Sequence, residues 1–296
     1  MDNGCLAELK DVYKHFGKIV ALDGLNLQVG RGELLAVLGP NGAGKTTAIS
    51  IMLGIERPDG GSAQLFGQSP QTCAARRHVG VMMQEVYLAP ELRVREHIGL
   101  VASYYPDPLS VGEAIELTQT TPLANRPYGK LSTGQKRQAQ FAIAICGRPK
   151  LLFLDEPTVG LDIQARETMW TTLRELVNGG SSIVLTTHYL EEAEALADRV
   201  AVLAKGRLIT AGTVNEIRGF VARKRITCRT TLNVEQIQAW PEVERATRNQ
   251  QHMQIVASEA EDVVRRLLAA DETLEDLEVH RAGLAEAFTE LTKEAA

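Results

Sequence analysis

Residues 39–46 read Gly39-Pro40-Asn41-Gly42-Ala43-Gly44-Lys45-Thr46 and satisfy the pattern GxxxxGK[ST] in full. They follow the apolar run Leu34-Leu35-Ala36-Val37-Leu38 and precede a segment that reads as a helix. Glycines at these positions let successive backbone N–H groups face one anion. The helix start adds partial positive charge. Lys45 then reaches the β- and γ-phosphates of a nucleotide, and the Thr46 hydroxyl, with Thr47 beside it, is placed to ligate Mg²⁺. A glycine-rich turn capped by threonine is the bland account, and it leaves the lysine and the preceding strand unexplained.

The runs Leu151–Leu154 and Ser182–Thr186 resemble Leu34–Leu38. Continuous apolar stretches of this length suit strands buried on both faces, as in a parallel sheet flanked by helices. The segments between them are long enough for helical crossovers, so the fold expected is a layered α/β P-loop architecture with a mostly parallel core sheet. Between about 87 and 147 the texture turns helical, with Val94–Tyr104 and Val111–Leu117 separated by prolines. We expect a helical insert there. From 219 to 296 a small α+β appendage is expected, with strand-like Ile226–Leu232 and His252–Ala257 and helical Val234–Ala239 and Glu259–Ala270. Residues 1–218 would form the first domain. A formal net charge of −5 argues against a broad nucleic-acid surface, and no nucleic acid is expected as a partner. Cys5, Cys73, Cys146 and Cys228 are widely spaced and read as reduced thiols. The start Met1–Cys5 has no leader pattern, and no apolar stretch is long enough to span a membrane. Arg223-Lys224-Arg225 reads as a solvated face, with a lipid-headgroup contact as the alternative.

Two further segments carry chemistry. Leu151-Leu152-Phe153-Leu154 ends in Asp155 and Glu156, which places two acids at the ligand edge of the sheet. Asp155 suits a magnesium ligand, direct or through water, and Glu156 suits polarising an attacking water. Leu131-Ser132-Thr133-Gly134-Gln135 opens an apolar helix. Ser132 and Gln135 form a capping box, which does not exclude anion binding at the same helix start.

These segments, in this order, resemble the nucleotide-binding subunit of ABC transporters. The resemblance covers about residues 5 to 215. It implies that Gln84 is the Q-loop glutamine, which contacts Mg²⁺ and the attacking water. Gly160-Leu161-Asp162 resembles the D-loop, and His188 the switch histidine near the γ-phosphate. Phe16 fits the aromatic that stacks on adenine, with Tyr13 the runner-up. The family pattern also implies ATP and Mg²⁺ as ligands. ATP would lie between the phosphate loop of one cassette and Ser132, Gly134 and Gln135 of another, so a second nucleotide-binding subunit, read as a homodimer, is required. Integral membrane permease subunits are the implied further partners, and the cytoplasmic face of the membrane the implied place. The compact tail resembles exporter subunits. A soluble ABC-type ATPase acting on ribosomes or DNA is the alternative reading; a binding module without turnover is disfavoured by Glu156, Gln84 and His188.

Two positions depart from the family pattern. Thr133 stands where glycine is usual, and a Cβ there is expected to resist positive φ and add bulk beside the phosphate. Gln138 stands where a basic residue is frequent.

Overall fold

The computed structural model describes residues 4–219, 224–249, 252–281 and 284–294. The leader reading at Met1–Asn3, and Arg223 of the basic triplet, therefore lie outside the described residues. The chain divides into two compact units between Val214 and Asn215.

The first unit runs β1 (Cys5–Phe16), β2 (Ile19–Gly30), β3 (Leu34–Leu38), α1 (Lys45–Met52), β4 (Gly60–Leu65), α2 (Cys73–Arg76) and β5 (Val79–Met82). It continues α3 (Val94–Ala102), α4 (Val111–Leu117), α5 (Thr133–Ile145), β6 (Leu151–Asp155), α6 (Ile163–Asn178), β7 (Ser182–Thr187), α7 (Leu190–Leu196), β8 (Arg199–Ala204) and β9 (Arg207–Gly212), and α8 (Val214–Gly219) crosses the division. The central sheet has the order β5-β6-β7-β3-β8-β9. β5, β6, β7, β3 and β8 are parallel, and β9 runs antiparallel to β8. Every residue of β3, β6 and β7 is buried, which is why these strands read as unbroken apolar runs.

Parallel register brings the C-terminal ends of the strands to one edge. Leu38 pairs with Thr187, Asp155 with Thr186, and Met82 with Leu154. The residues that follow these ends are Gly39, His188, Glu156 and the Met83-Gln84 segment. Ligands of open α/β sheets bind at this edge.

A second sheet, β2-β1-β4, is antiparallel. Its inward Leu9, Leu22, Leu25 and Val29 share one core with Leu35, Val37 and Phe153. The helices α3, α4 and α5, with Leu123 from the short turn between α4 and α5, build a separate core that also holds Val94, Ile98, Ala114, Ala139 and Ala142. α5 begins at Thr133, so the capping segment and the apolar stretch from Ala139 are one helix.

The second unit is β10 (Lys224–Arg229), α9 (Val234–Gln238), β11 (Val243–Asn249), β12 (His252–Ala257), α10 (Ala260–Ala270), β13 (Glu275–Arg281) and α11 (Leu284–Glu294). Its sheet order is β11-β12-β10-β13 with antiparallel neighbours. A βαββαβ succession in that order is the split βαβ arrangement. Ile226, Cys228, Met253, Ile255, Val263 and Leu267 fill its core. β10 stops at Arg229, short of the expected Leu232. The reason is local: Asp271 accepts hydrogen bonds from the Thr230 hydroxyl (2.6 Å) and the Thr231 N–H (2.6 Å), which turns the chain.

Candidate nucleotide site

The phosphate loop leaves β3 and enters α1 at the ligand edge. Gly42 (φ 81°) and Gly44 (φ 100°) both sit in the left-handed region. Gly44 occupies the N-cap position of α1, with no side chain capping the helix and no acid in its first turn. The first amides of α1 are thus left for a ligand. Lys45 is buried, and its ammonium donates to the carbonyls of Gly39 (2.7 Å) and Pro40 (3.2 Å). Burial pushes its pKa down, opposed by the nearby Glu156 and Asp155 carboxylates.

A cleft of about 650 Å³ lies over this loop. Asn41, Gly42, Ala43, Gly44, Lys45, Thr46 and Thr47 line one side, and Gln84, Glu156 and His188 the other. Asp155 is buried, and its Oδ2 accepts from Thr46 Oγ1 at 2.9 Å while its Oδ1 accepts from Thr186 Oγ1. Glu156 Oε2 lies 3.1 Å from His188 Nδ1. The Glu156 backbone is left-handed, with φ 50°, an uncommon state for a side-chain-bearing residue that clusters at functional sites. Its N–H donates to the Thr186 carbonyl at 3.0 Å. These residues fit a magnesium nucleotide. A hydroxyl and a carboxylate meet at Thr46 and Asp155, an uncapped helix start faces the anion, and one buried cation stands beside it.

The Ser132 segment forms a different cavity of about 490 Å³, lined by Ser132, Thr133, Gly134, Gln135, Gln138, Gly160, Leu161, Asp162 and Ala165. It shares no lining residue with the first. Ser132 Oγ accepts from the Gln135 N–H (3.3 Å), and Gln135 Oε1 accepts from the Ser132 N–H (3.2 Å). The hydroxyl proton of Ser132 remains available to donate. Asp162 caps α6, accepting from the Ala165 N–H at 2.8 Å. The Gly160 carbonyl lies 2.8 Å from where a Gly134 Cβ would stand, so the two glycines let the D-loop-like turn pack on α5. Arg137 Nη1 donates to the Met83 carbonyl at 3.0 Å, tying α5 to the segment that presents Gln84.

Four placements differ from the sequence reading or extend it. Thr133 is the first residue of α5 and is not left-handed, so the expected conflict between its Cβ and a positive φ does not arise. Phe16 ends β1 at 46% exposure, with the Lys14 ammonium 5.1 Å from its ring centroid. The cleft wall on the β2 side is Ile19 and Ala21, which sequence reasoning did not select; their position at the start of the strand after Phe16 is the signal that could have found them. Thr186 was also missed, although it ends an apolar run on the strand paired with β6.

Comparison with known proteins identifies the family. Residues 22–159 match the ABC transporter domain model. The Nod factor export ATP-binding protein I of Burkholderia thailandensis is 42% identical over 214 residues, covering 69% of this chain and 70% of that protein. The daunorubicin resistance ATP-binding protein DrrA3 of Streptomyces coeruleorubidus is 38% identical over 220 residues, 72% of this chain and 70% of that protein. Among solved structures, a bacterial ABC transporter cassette in dimeric form superposes with a TM-score of 0.64 at 25% identity, covering 70% of this chain and 98% of that one. The chain belongs to the ATP-binding subunits of ABC transporters. It is an ABC-type ATPase, with the α/β P-loop fold of that family.

Proposed function

We propose that two copies of this chain bind ATP between them on the cytoplasmic face of a membrane and hydrolyse it to drive export through separate permease subunits. The observation that carries the reading is the pairing of Glu156 with His188 at 3.1 Å on the rim of the cleft that holds Lys45 and Thr46. A base, a second polar group and a phosphate cradle converge on one volume.

Lys45 and the amides opening α1 hold the β- and γ-phosphates. Thr46 and Asp155, with Gln84, would hold Mg²⁺, which supplies charge neutralisation on the phosphate oxygens. Glu156 takes the proton of the attacking water, and His188 donates to the γ-phosphate. Phe16 stacks on the adenine. The complementary half-site is the cavity at Ser132, Gly134, Gln135 and Asp162. Because it is separate from the phosphate cleft, one chain offers two half-sites, which a two-fold dimer would complete twice. Both curated relatives are named for export or drug resistance, which supports export over import. Among the described residues no helix is long and apolar enough to cross a membrane, so the transport path would lie in partner subunits. Residues 1–218 would be the ATP-binding domain and 219–296 an accessory domain.

The test is Glu156→Gln. It should keep ATP binding and lose turnover by roughly 10²–10⁴, the worth of a general base. Stabilisation of a dimer by ATP and Mg²⁺ in that variant, seen by light scattering, should accompany the loss. Near-native turnover, or a monomer under those conditions, would defeat the reading.

A further inference from the structure

The helix that follows His188 buries an acid that the hydrolytic reading does not use. Glu192, on α7, is at 0% exposure. Acids at such depth are normally paired. Its Oε1 accepts from the Trp170 indole Nε1 at 3.2 Å, whereas its Oε2 has no hydrogen-bond partner. The Arg166 guanidinium lies 5.2 Å from the Trp170 ring, and its buried Nε is also unpartnered. The Thr187 and Thr158 hydroxyls face the same carboxyl, and the indole joins it to α6. Burial raises the Glu192 pKa, opposed by Thr187, Trp170, Thr158 and Arg166 around the carboxyl.

These neighbours belong to the segments that carry the reacting groups. Thr187 immediately precedes His188, and its Oγ1 accepts from the Tyr189 N–H at 3.0 Å. Thr158 follows Glu156 by two residues, and its carbonyl accepts from the Leu161 N–H at 3.1 Å, closing the turn that leads to Asp162. Arg166 and Trp170 sit on α6, the helix that Asp162 caps.

We propose that Glu192 is a positioning residue for ATP hydrolysis, tying the loop of His188 to the segment that runs from Glu156 through Asp162 into α6. The proposal rests on Glu156 and His188 being the reacting pair. A buried carboxyl oxygen without a well-placed donor is costly, and such atoms in native structures cluster where a role accounts for them. The Arg166 charge acts on the Glu192 carboxyl from the same helix as Trp170. A small slide of α6 against α7 that brings Arg166 Nε to Glu192 Oε2 would satisfy both. Because α6 starts at the Ser132 cavity, that slide would carry events at the second half-site to His188.

The test is steady-state ATPase kinetics on full-length Glu192→Ala, Glu192→Gln and Trp170→Phe, with ATP affinity from calorimetry. Glu192→Ala should lower kcat roughly 10- to 100-fold, the scale set by a misplaced reacting group, with ATP affinity changed less than about threefold. Glu192→Gln keeps the acceptor for Trp170 and brings its own donor, so it should recover most of kcat. Native kcat in Glu192→Ala, or a raised KM at unchanged kcat, overturns the proposal. If Glu192→Ala does not fold, Trp170→Phe decides, since it keeps the ring beside Arg166 and removes the Nε1 donor. Lost kcat at retained affinity supports the coupling there, and native kcat overturns it. Glu156→Gln run in parallel separates the two readings. If it is inactive while Glu192→Ala turns over normally, the coupling alone fails. If it is active, the underlying assignment fails and the coupling with it.

Discussion

Replacing Gly44 with alanine asks whether the phosphate loop is held in shape by backbone packing. Gly44 has φ 100° and ψ 6°, a region that an L-residue enters at a cost of about 1–2 kcal/mol. A Cβ at this position would also stand 2.5 Å from the Ala21 carbonyl oxygen and 2.7 Å from Leu22 Cδ2. Contacts that short are not tolerated, so the loop or β2 must move, and overpacking of this kind costs about 1–3 kcal/mol more. The sum is about 2–5 kcal/mol. Gly42 supplies the reference. Its φ is 81°, yet no atom lies within 4 Å of a Cβ built there, so Gly42→Ala should cost only the backbone share of about 1–2 kcal/mol. Urea unfolding of both variants measures the difference. The displaced loop should also lower turnover in Gly44→Ala by roughly 10², as expected for a shift approaching 1 Å. Equal stability losses in the two variants, or native turnover in Gly44→Ala, would refute the packing argument.

Gly134→Ala places a Cβ 2.8 Å from the Gly160 carbonyl and should push the D-loop-like turn off α5. Turnover should fall while ATP binding to the separate phosphate cleft survives in calorimetry; loss of both together would contradict two half-sites. Thr133→Gly should destabilise by up to about 1 kcal/mol, since glycine is a poor helix former, whereas a left-handed Thr133 would make the change stabilising. Denaturant unfolding gives the sign directly. Asp271 is held below the usual carboxylate range by hydrogen bonds from Thr230, Thr273 and Thr231. A pKa lower in the folded than in the unfolded state gives stability that is present above the unfolded value of about 3.9 and is lost as pH falls below it. Asp271→Asn should therefore be less stable at pH 7 and show a flatter acid limb by circular dichroism, and an unchanged acid limb would count against it.

Much of the site was legible because its parts are short contiguous motifs at the ends of buried strands. Once β3, β5, β6 and β7 are parallel and in register, Lys45, Gln84, Glu156 and His188 must emerge at one edge. What could not be read depends on three-dimensional neighbours. The left-handed φ of Glu156 has no signature in Leu154-Asp155-Glu156-Pro157, nor does the bond from Thr186 to Asp155. The twelve-residue strands β1 and β2 carry register shifts at Leu9/Val12 and Val12/Lys14, which break the two-residue alternation that reveals a strand. β13 reads Glu-Asp-Leu-Glu-Val-His-Arg, a charged segment that looks like a loop, and it lies at a sheet edge, where charge is useful. The split βαβ pattern of the second unit stayed hidden for that reason, although β12 and α10 matched their expected spans closely.

The polar groups of the cleft are already engaged with one another. Lys45 binds loop carbonyls, Thr46 binds Asp155, and Glu156 binds His188. Ligand binding at these groups is therefore an exchange, whose net gain is far smaller than a count of new contacts suggests. The uncapped start of α1 is different. Its amides give up no side-chain partner, so they should carry most of the affinity. On the proposed role as the base, Glu156 should contribute little to affinity and much to rate.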